Sequence, residues 1–188
     1  MRRLVRWSIV LGAVLLVPRA AQAQERGDFA VGYNVLHLFG VNGSPGVNLP
    51  AGFFVSGAAR VGRGVMLVAE VADSTKSATA FGETASASLL TYAGGFRITG
   101  SGDRRGPRES ARPFVEILVG GARVSASLGG ESIITGDVLV IEPGAGVDLP
   151  VGRRTAVRLA GKFELYHSGG NAHGFRFDVG VAFRAGRR

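Results

Sequence analysis

Reading alternate positions of the stretch His173–Phe183 separates it into two rows. Phe175, Phe177, Val179, Val181 and Phe183 are apolar, whereas Arg176, Asp178, Gly180 and Ala182 are charged or very small. A strict period of two is a β-strand with unlike faces. The same alternation predicts seven strands before it, at Asp28–Phe39, Pro50–Val61, Val65–Ala72, Ala85–Thr99, Pro113–Ser125, Asp137–Pro150 and Thr155–His167. Gly62–Gly64 and Gly152–Arg154 read as minimal turns. Gly40–Asn48, Asp73–Thr84, Ser127–Gly136 and Ser168–Ala172 read as polar loops, and Gly100–Ala111 as a solvated connection. Short turns at one end and longer loops at the other match the periplasmic and extracellular ends of a membrane barrel. The connection after the fourth strand is the exception.

The charges decide which face is inside. Arg60, Glu70, Arg97, Glu116, Glu142, Asp148, Arg158, Lys162, Glu164, Arg176 and Asp178 all fall on the row opposite the aliphatic residues. The interior of an eight-stranded barrel is just wide enough to be filled by side chains. Five cations and six anions placed there would satisfy one another, as buried charges must. The aliphatic row then faces lipid, and closure leaves no unpaired strand edge. A soluble, lipocalin-like barrel with the aliphatic row around a ligand is the alternative. The glycines and alanines that share the charged row favour the membrane arrangement, since a solvated surface has no need of them. Arg123, near the loop end of its strand, falls on the lipid-facing row, as do Gly94, Gly121 and Gly161.

Charge pairing also predicts a register for the last hairpin. With Ser168–Ala172 as its loop, Lys162 lies opposite Asp178 and Glu164 opposite Arg176. A slip of two residues would set like charges against each other. Across the Gly152–Arg154 turn the same reasoning sets Asp148 opposite Arg158.

Met1–Ala23 has the three parts of a cleavable signal peptide: Arg2, Arg3 and Arg6, an apolar run Ser8–Val17, and the small-x-small site Ala21-Gln-Ala23. This gives two regions, a leader at 1–23 and a barrel domain at 24–188. Loss of the leader's four arginines takes the formal charge from +8 to +4. No basic stripe interleaved with aromatics remains, so a nucleic-acid partner is not expected. Cysteine is absent, so the exported chain relies on hydrogen bonding and packing. Glycine, 30 of 188 residues, is about twice the usual ~7%, as suits a fold in which backbones crowd.

The pattern over Asp28–Phe183 resembles the small eight-stranded outer-membrane proteins of the OmpA-like transmembrane domain and OmpX type. Asp178, Gly180 and Phe183 match the polar, glycine and aromatic places of the C-terminal strand by which such barrels are recognised for assembly. The resemblance implies an all-β, eight-stranded antiparallel up-and-down transmembrane barrel in the bacterial outer membrane. It implies outer-membrane lipids and lipopolysaccharide as surroundings, the barrel-assembly machinery as a partner during insertion, and a monomer. It further implies a role in envelope integrity or surface interaction.

Little in the chain points to catalysis. Three histidines without cysteine or clustered carboxylates offer no metal set, and His37 reads as an interfacial residue. No cofactor is expected. Tyr166-His-Ser-Gly-Gly-Asn171 resembles the His-x-Ser-Asn segment of outer-membrane lipid A deacylases. It departs from that segment in the adjacency of His167 and Ser168, in the place of Asn171, and in having no Glu after Glu164. A triad needs its orienting group, so a lipid A-modifying enzyme remains an alternative reading only.

Overall fold

The computed structural model describes residues 27–40, 45–80, 83–100, 110–128, 131–167 and 171–185. The expected leader and most of the Gly100–Ala111 connection lie outside these residues. Eight strands follow in chain order: β1 (Gly27–Leu38), β2 (Val47–Arg60), β3 (Val65–Ala80), β4 (Glu83–Thr99), β5 (Arg112–Leu128), β6 (Glu131–Pro150), β7 (Thr155–His167) and β8 (Asn171–Ala185). Each pairs antiparallel with its neighbours, and β8 closes on β1 from Gly27↔Ala185 to Leu38↔Gly174. Closure pairs the backbone polar groups that an open sheet edge would leave unpaired.

The aliphatic row points outward. Val31, Phe53, Leu67, Phe96, Ile117, Leu139, Leu165 and Phe177 are among the exposed large apolar side chains, whereas Glu70, Arg97, Glu142, Arg158, Lys162 and Arg176 are buried. A lipocalin-like arrangement needs the opposite parity, and the structure excludes it.

Three predicted boundaries differ. Asp73–Thr84 and Ser127–Gly136, read as loops, are mostly strand: β3 and β4 pair as far as Ala80↔Glu83, and β5 and β6 as far as Leu128↔Glu131. These segments are rich in Ser, Thr, Ala and Gly and carry no greasy row, so the alternation that marks a half-buried strand is lost. Their backbone ladders nevertheless continue upward from the strands below. The β2–β3 pairing ends at Ala51↔Thr75 and the β6–β7 pairing at Leu139↔His167, so β3 to β6 rise beyond their neighbours as a four-stranded wall.

The third difference is the closing hairpin. β7 and β8 pair as His167↔Asn171 and Lys162↔Arg176, two residues away from the predicted register, with Glu164 opposite Gly174 and Asp178 opposite Ala160. Two cations thus sit side by side. The two-strand argument fails because lumen side chains also reach diagonal neighbours and strands across the barrel. Asp148↔Arg158 is paired across β6 and β7. That ladder has a gap at Glu142 and Pro143, where proline supplies no N–H.

Packing explains several glycines. Gly32 on β1 lies opposite Gly180 on β8, and the buried Phe54 ring covers the pair. A Cβ on Gly180 would stand 2.5 Å from the Val31 carbonyl oxygen and 2.9 Å from Phe54 Cζ. On the outer face, Tyr92 lies across Gly121 and Phe175 across Gly161, the arrangement in which an aromatic ring covers bare backbone on a neighbouring strand. Gly94 has no such ring.

Gly180→Ala should therefore destabilise the barrel by about 1–3 kcal/mol, the usual cost of overpacking. Gly57→Ala, whose new Cβ meets nothing within 4 Å, should be neutral or slightly stabilising. Denaturant unfolding of refolded protein in detergent measures both, and equal losses would mean that the β1–β8 seam is looser than described.

Candidate functional site

The lumen is layered. Toward the hairpin end away from Gly27 and Ala185, buried Leu36, Leu49, Leu89, Ala122, Val140 and Tyr166 form an apolar plug. Smaller apolar groups, Ala30, Phe54, Ala72, Ala156 and Ala182 together with Ala58, Met66, Val68 and Leu118, occupy other parts of the interior. The charges form a continuous set of contacts.

Arg158 on β7 grips Asp148 of β6 with Nε 2.8 Å from Oδ1 and Nη2 3.0 Å from Oδ2. Two parallel bonds of this kind are the strong form of an arginine–carboxylate contact. Arg158 Nη2 also lies 3.3 Å from Oδ1 of Asp28 on β1, and Arg97 Nη1 approaches that oxygen at 3.6 Å. Arg97 of β4 donates through Nε and Nη2 to Glu116 Oε2, at 2.8 and 2.7 Å. The Arg97 and Arg158 guanidiniums lie 4.4 and 5.2 Å from the centre of the Phe114 ring, within cation–π range. Gly146, opposite Phe114 on β6, leaves room for that ring.

The second half centres on two cations. Lys162 Nζ contacts Glu70, Glu116 Oε1 at 3.2 Å and Asp178 Oδ2 at 3.5 Å. Arg176 contacts Glu70, Glu164 Oε1 at 2.9 Å, and Asp178 Oδ1 and Glu142 Oε2 at 3.2 Å each. Glu70, reaching in from β3, bonds both cations and offsets their proximity. Lys162–Asp178 and Glu164–Arg176, anticipated as directly opposed pairs, are instead made diagonally. The Tyr166 hydroxyl donates to Glu164.

Ten of the eleven predicted lumen charges are thereby joined. Arg60, at the turn end of β2, has no ion pair among the described residues, and its Nε is buried without a hydrogen-bond partner. Asp28, which sequence reading passed over, links the Asp148–Arg158 pair to Arg97. Its parity was visible in the sequence, but its place at the start of the first strand hid its role. The apolar plug was legible only in part: Val140 falls on the charged row, whereas Leu49 turns inward through a register shift between β1 and β2.

On the outer face, Arg123 meets Asp137 directly across β5 and β6, Nε to Oδ1 2.8 Å and Nη2 to Oδ2 3.1 Å. His37 is also outward, with Nδ1 2.5 Å from Asn48 Oδ1. His167 is exposed and turned outward, on the opposite face from Tyr166. Ser168 lies outside the described residues. In the C-terminal strand, Asp178 and Gly180 face the lumen while Phe183 is exposed at the end nearest the chain terminus. Among the described residues no group of three or more His, Asp or Glu side chains is arranged to hold a metal ion.

Arg158→Met leaves Asp148 buried without its bidentate partner and should cost about 3–5 kcal/mol. Adding Asp148→Leu should recover much of that loss, because an apolar pair of similar bulk needs no counterion. Additive losses in denaturant unfolding would show that the two groups do not depend on each other.

No protein-family model matches the chain, and no curated protein matches it in sequence. Solved structures do. The attachment invasion locus protein Ail of Yersinia pestis superposes with a TM-score of 0.61 at 12% identity, over 86% of this chain and 99% of Ail. Neisserial surface protein A gives 0.63 at 10% identity, over 84% and 95%. The outer-membrane protein OprG of Pseudomonas aeruginosa gives 0.54 at 8% identity, over 87% and 97%. In fold, this chain is a small eight-stranded β-barrel of the kind found in bacterial outer membranes.

Proposed function

We propose that the chain resides in a bacterial outer membrane as a closed barrel that serves envelope integrity or surface interaction rather than catalysis. The observation that carries this reading is the division of its two faces: one continuous ion-paired set inside, an apolar row outside. Water bathing the outside would leave more than two dozen large apolar side chains exposed, far from the habit of a soluble monomer. Lipid removes that cost. The wall formed by β3 to β6 extends beyond the shorter strands and supplies a surface above the apolar row. Ail, named for attachment and invasion and solved with the heparin analogue sucrose octasulfate, and the neisserial surface protein A share the architecture.

Outer-membrane lipids, including lipopolysaccharide, are then the surroundings of the outer face. The barrel-assembly machinery acts during insertion, with Asp178, Gly180 and Phe183 as its recognition strand. The lumen charges, Arg60 included, act as a filling that closes the barrel.

Cell fractionation tests the location: the protein should enter the outer-membrane fraction, need detergent for release, and migrate differently on gels before and after boiling. Recovery from the aqueous periplasm would overturn the reading. Reconstituted in a planar bilayer, the barrel should pass no steady current, because charged and apolar side chains fill its section. Stable porin-like conductance steps would refute a closed lumen.

A further inference from the structure

The barrel makes the same short turn twice. β2 passes to β3 through Val61-Gly62-Arg63-Gly64, and β6 passes to β7 through Val151-Gly152-Arg153-Arg154, so the tripeptide Val-Gly-Arg occurs at both. The hydrogen bonds repeat as well. The N–H groups of Val61 and Gly62 donate to the Val65 carbonyl at 3.1 and 3.2 Å, and those of Val151 and Gly152 to the Thr155 carbonyl at 3.0 and 3.1 Å. Half of the closed ring of strands separates the two turns in either direction, so they stand on opposite sides of one rim. It is the rim of Gly27 and Ala185, the periplasmic one on the membrane reading.

Water alone does not account for the composition of these turns. Hairpin tips ordinarily carry Gly, Pro, Asn, Asp or Ser, yet each of these begins with a β-branched apolar residue. Val61 and Val151 carry the outward apolar rows of β2 and β6 one place beyond the strands. They are 55% and 66% exposed, Val151 more than any other large apolar side chain among the described residues. Arg63 and Arg153 follow two positions later, so their long stems can lie along the apolar edge while the guanidinium stays at the headgroup level. Arg63, Arg153 and Arg154 are exposed and make no ion pair among the described residues. The nearby carboxylates of this rim, Asp28 and Asp148, are turned into the lumen and held by Arg158. Packing does not require the glycines in between. A Cβ on Gly62 or Gly152 would come no closer than 3.8 Å to its nearest neighbour, the Cβ of Val65 or Thr155. Glycine there leaves the turn bare to whatever approaches from outside.

We propose that the two Val-Gly-Arg turns are paired docking sites for the anionic headgroups of phospholipids in the periplasmic leaflet. The inference rests on the membrane reading. At each turn the valine enters the edge of the hydrocarbon. The arginine donates to phosphate oxygens, in the two-pronged contact that a planar guanidinium makes with phosphate. Arg154 adds a second cation at the β6–β7 turn. A guanidinium does not lose its proton in proteins, so occupancy follows the charge of the lipid and not the pH. Anchors of this kind set how a spanning element sits in the bilayer, and two of them on opposite sides fix the depth and tilt of the barrel.

The test uses the full-length mature chain in nanodiscs of phosphatidylcholine with a minority of phosphatidylglycerol. Lipids that stay bound after transfer to mild detergent are counted by native mass spectrometry. We expect phosphatidylglycerol to be enriched about fivefold over its bulk share, as one basic group at an anionic surface confers. Arg63→Gln should remove one bound lipid and leave the other. The triple variant Arg63→Gln, Arg153→Gln, Arg154→Gln should hold the two lipids in their bulk proportion, and lysine at the same three positions should keep part of the enrichment. Arg123→Gln, at the other rim, should change nothing. Excess inorganic phosphate should not displace the lipid, since it lacks acyl chains. Equal retention of the two lipids by the unaltered chain, or undiminished enrichment in the triple glutamine variant, overturns the proposal. Displacement by inorganic phosphate marks a free-anion site and overturns it too, and loss of both lipids on Arg63→Gln alone overturns the pairing. Gel mobility before and after boiling shows that each variant is folded. A chain that fails to enter nanodiscs at all refutes the membrane reading instead, so the two failures are distinct.

Discussion

Charge enclosed in a space too narrow for bulk water has to be neutralised by what else is enclosed. Most features of this barrel follow from that requirement. Ionised groups removed from water cost several kcal/mol each unless paired and hydrogen-bonded, and here all of the predicted lumen charges but Arg60 are paired. Glu70 holds Lys162 and Arg176 together from the opposite wall. Asp28 ties Arg97 to Arg158. Long arginine and lysine side chains occupy volume as well as charge, and so glycines and alanines share their row. Gly146 makes space for the Phe114 ring beside two guanidiniums, and Gly180 for Phe54.

The same requirement explains what could be read from sequence. Parity is a property of each strand alone, since a residue faces in or out with its alternate neighbours. The lipid-facing and lumen-facing rows, the number of strands and the order of pairing were therefore legible in residues such as Arg97, Phe96, Lys162 and Phe163. Register is a property of the whole section. Opposed charges on β7 and β8 favoured Lys162 against Asp178, yet the carboxylate that makes Lys162↔Arg176 tolerable comes from β3, 92 residues away from the lysine. No pairwise reading of a hairpin contains that residue. Strand length was illegible for another reason. Beyond the apolar band neither face is greasy, so Ser74 to Ala80 and Glu83 to Ser88 carry no alternation while their backbones still pair.

The C-terminal strand combines ion pairing with close packing. Asp178 contacts Lys162 and Arg176, and Gly180 admits Phe54 and Gly32 against the closing seam. Only Phe183, outside and at the strand's end, is spared a lumen contact. A motif serving recognition during assembly and these packing constraints would select the same residues at two of its three places. A substitution at Asp178 or Gly180 perturbs the finished barrel whatever it does to insertion. Phe183 is free of these lumen constraints.

The span of the ion pairs also fixes the size of the protein. Arg158 meets Asp28 across 130 residues and Arg176 meets Glu70 across 106, so the counterions of the second half of the chain lie partly in the first. A half-built sheet holds charges without partners, which favours closure of the barrel as one concerted event. Duplicating one hairpin, a simple genetic route to a wider barrel, would carry Glu70 away from Lys162 and Arg176 and let water between them. A wider barrel made by repetition would thus need its lumen charges rearranged at the same time.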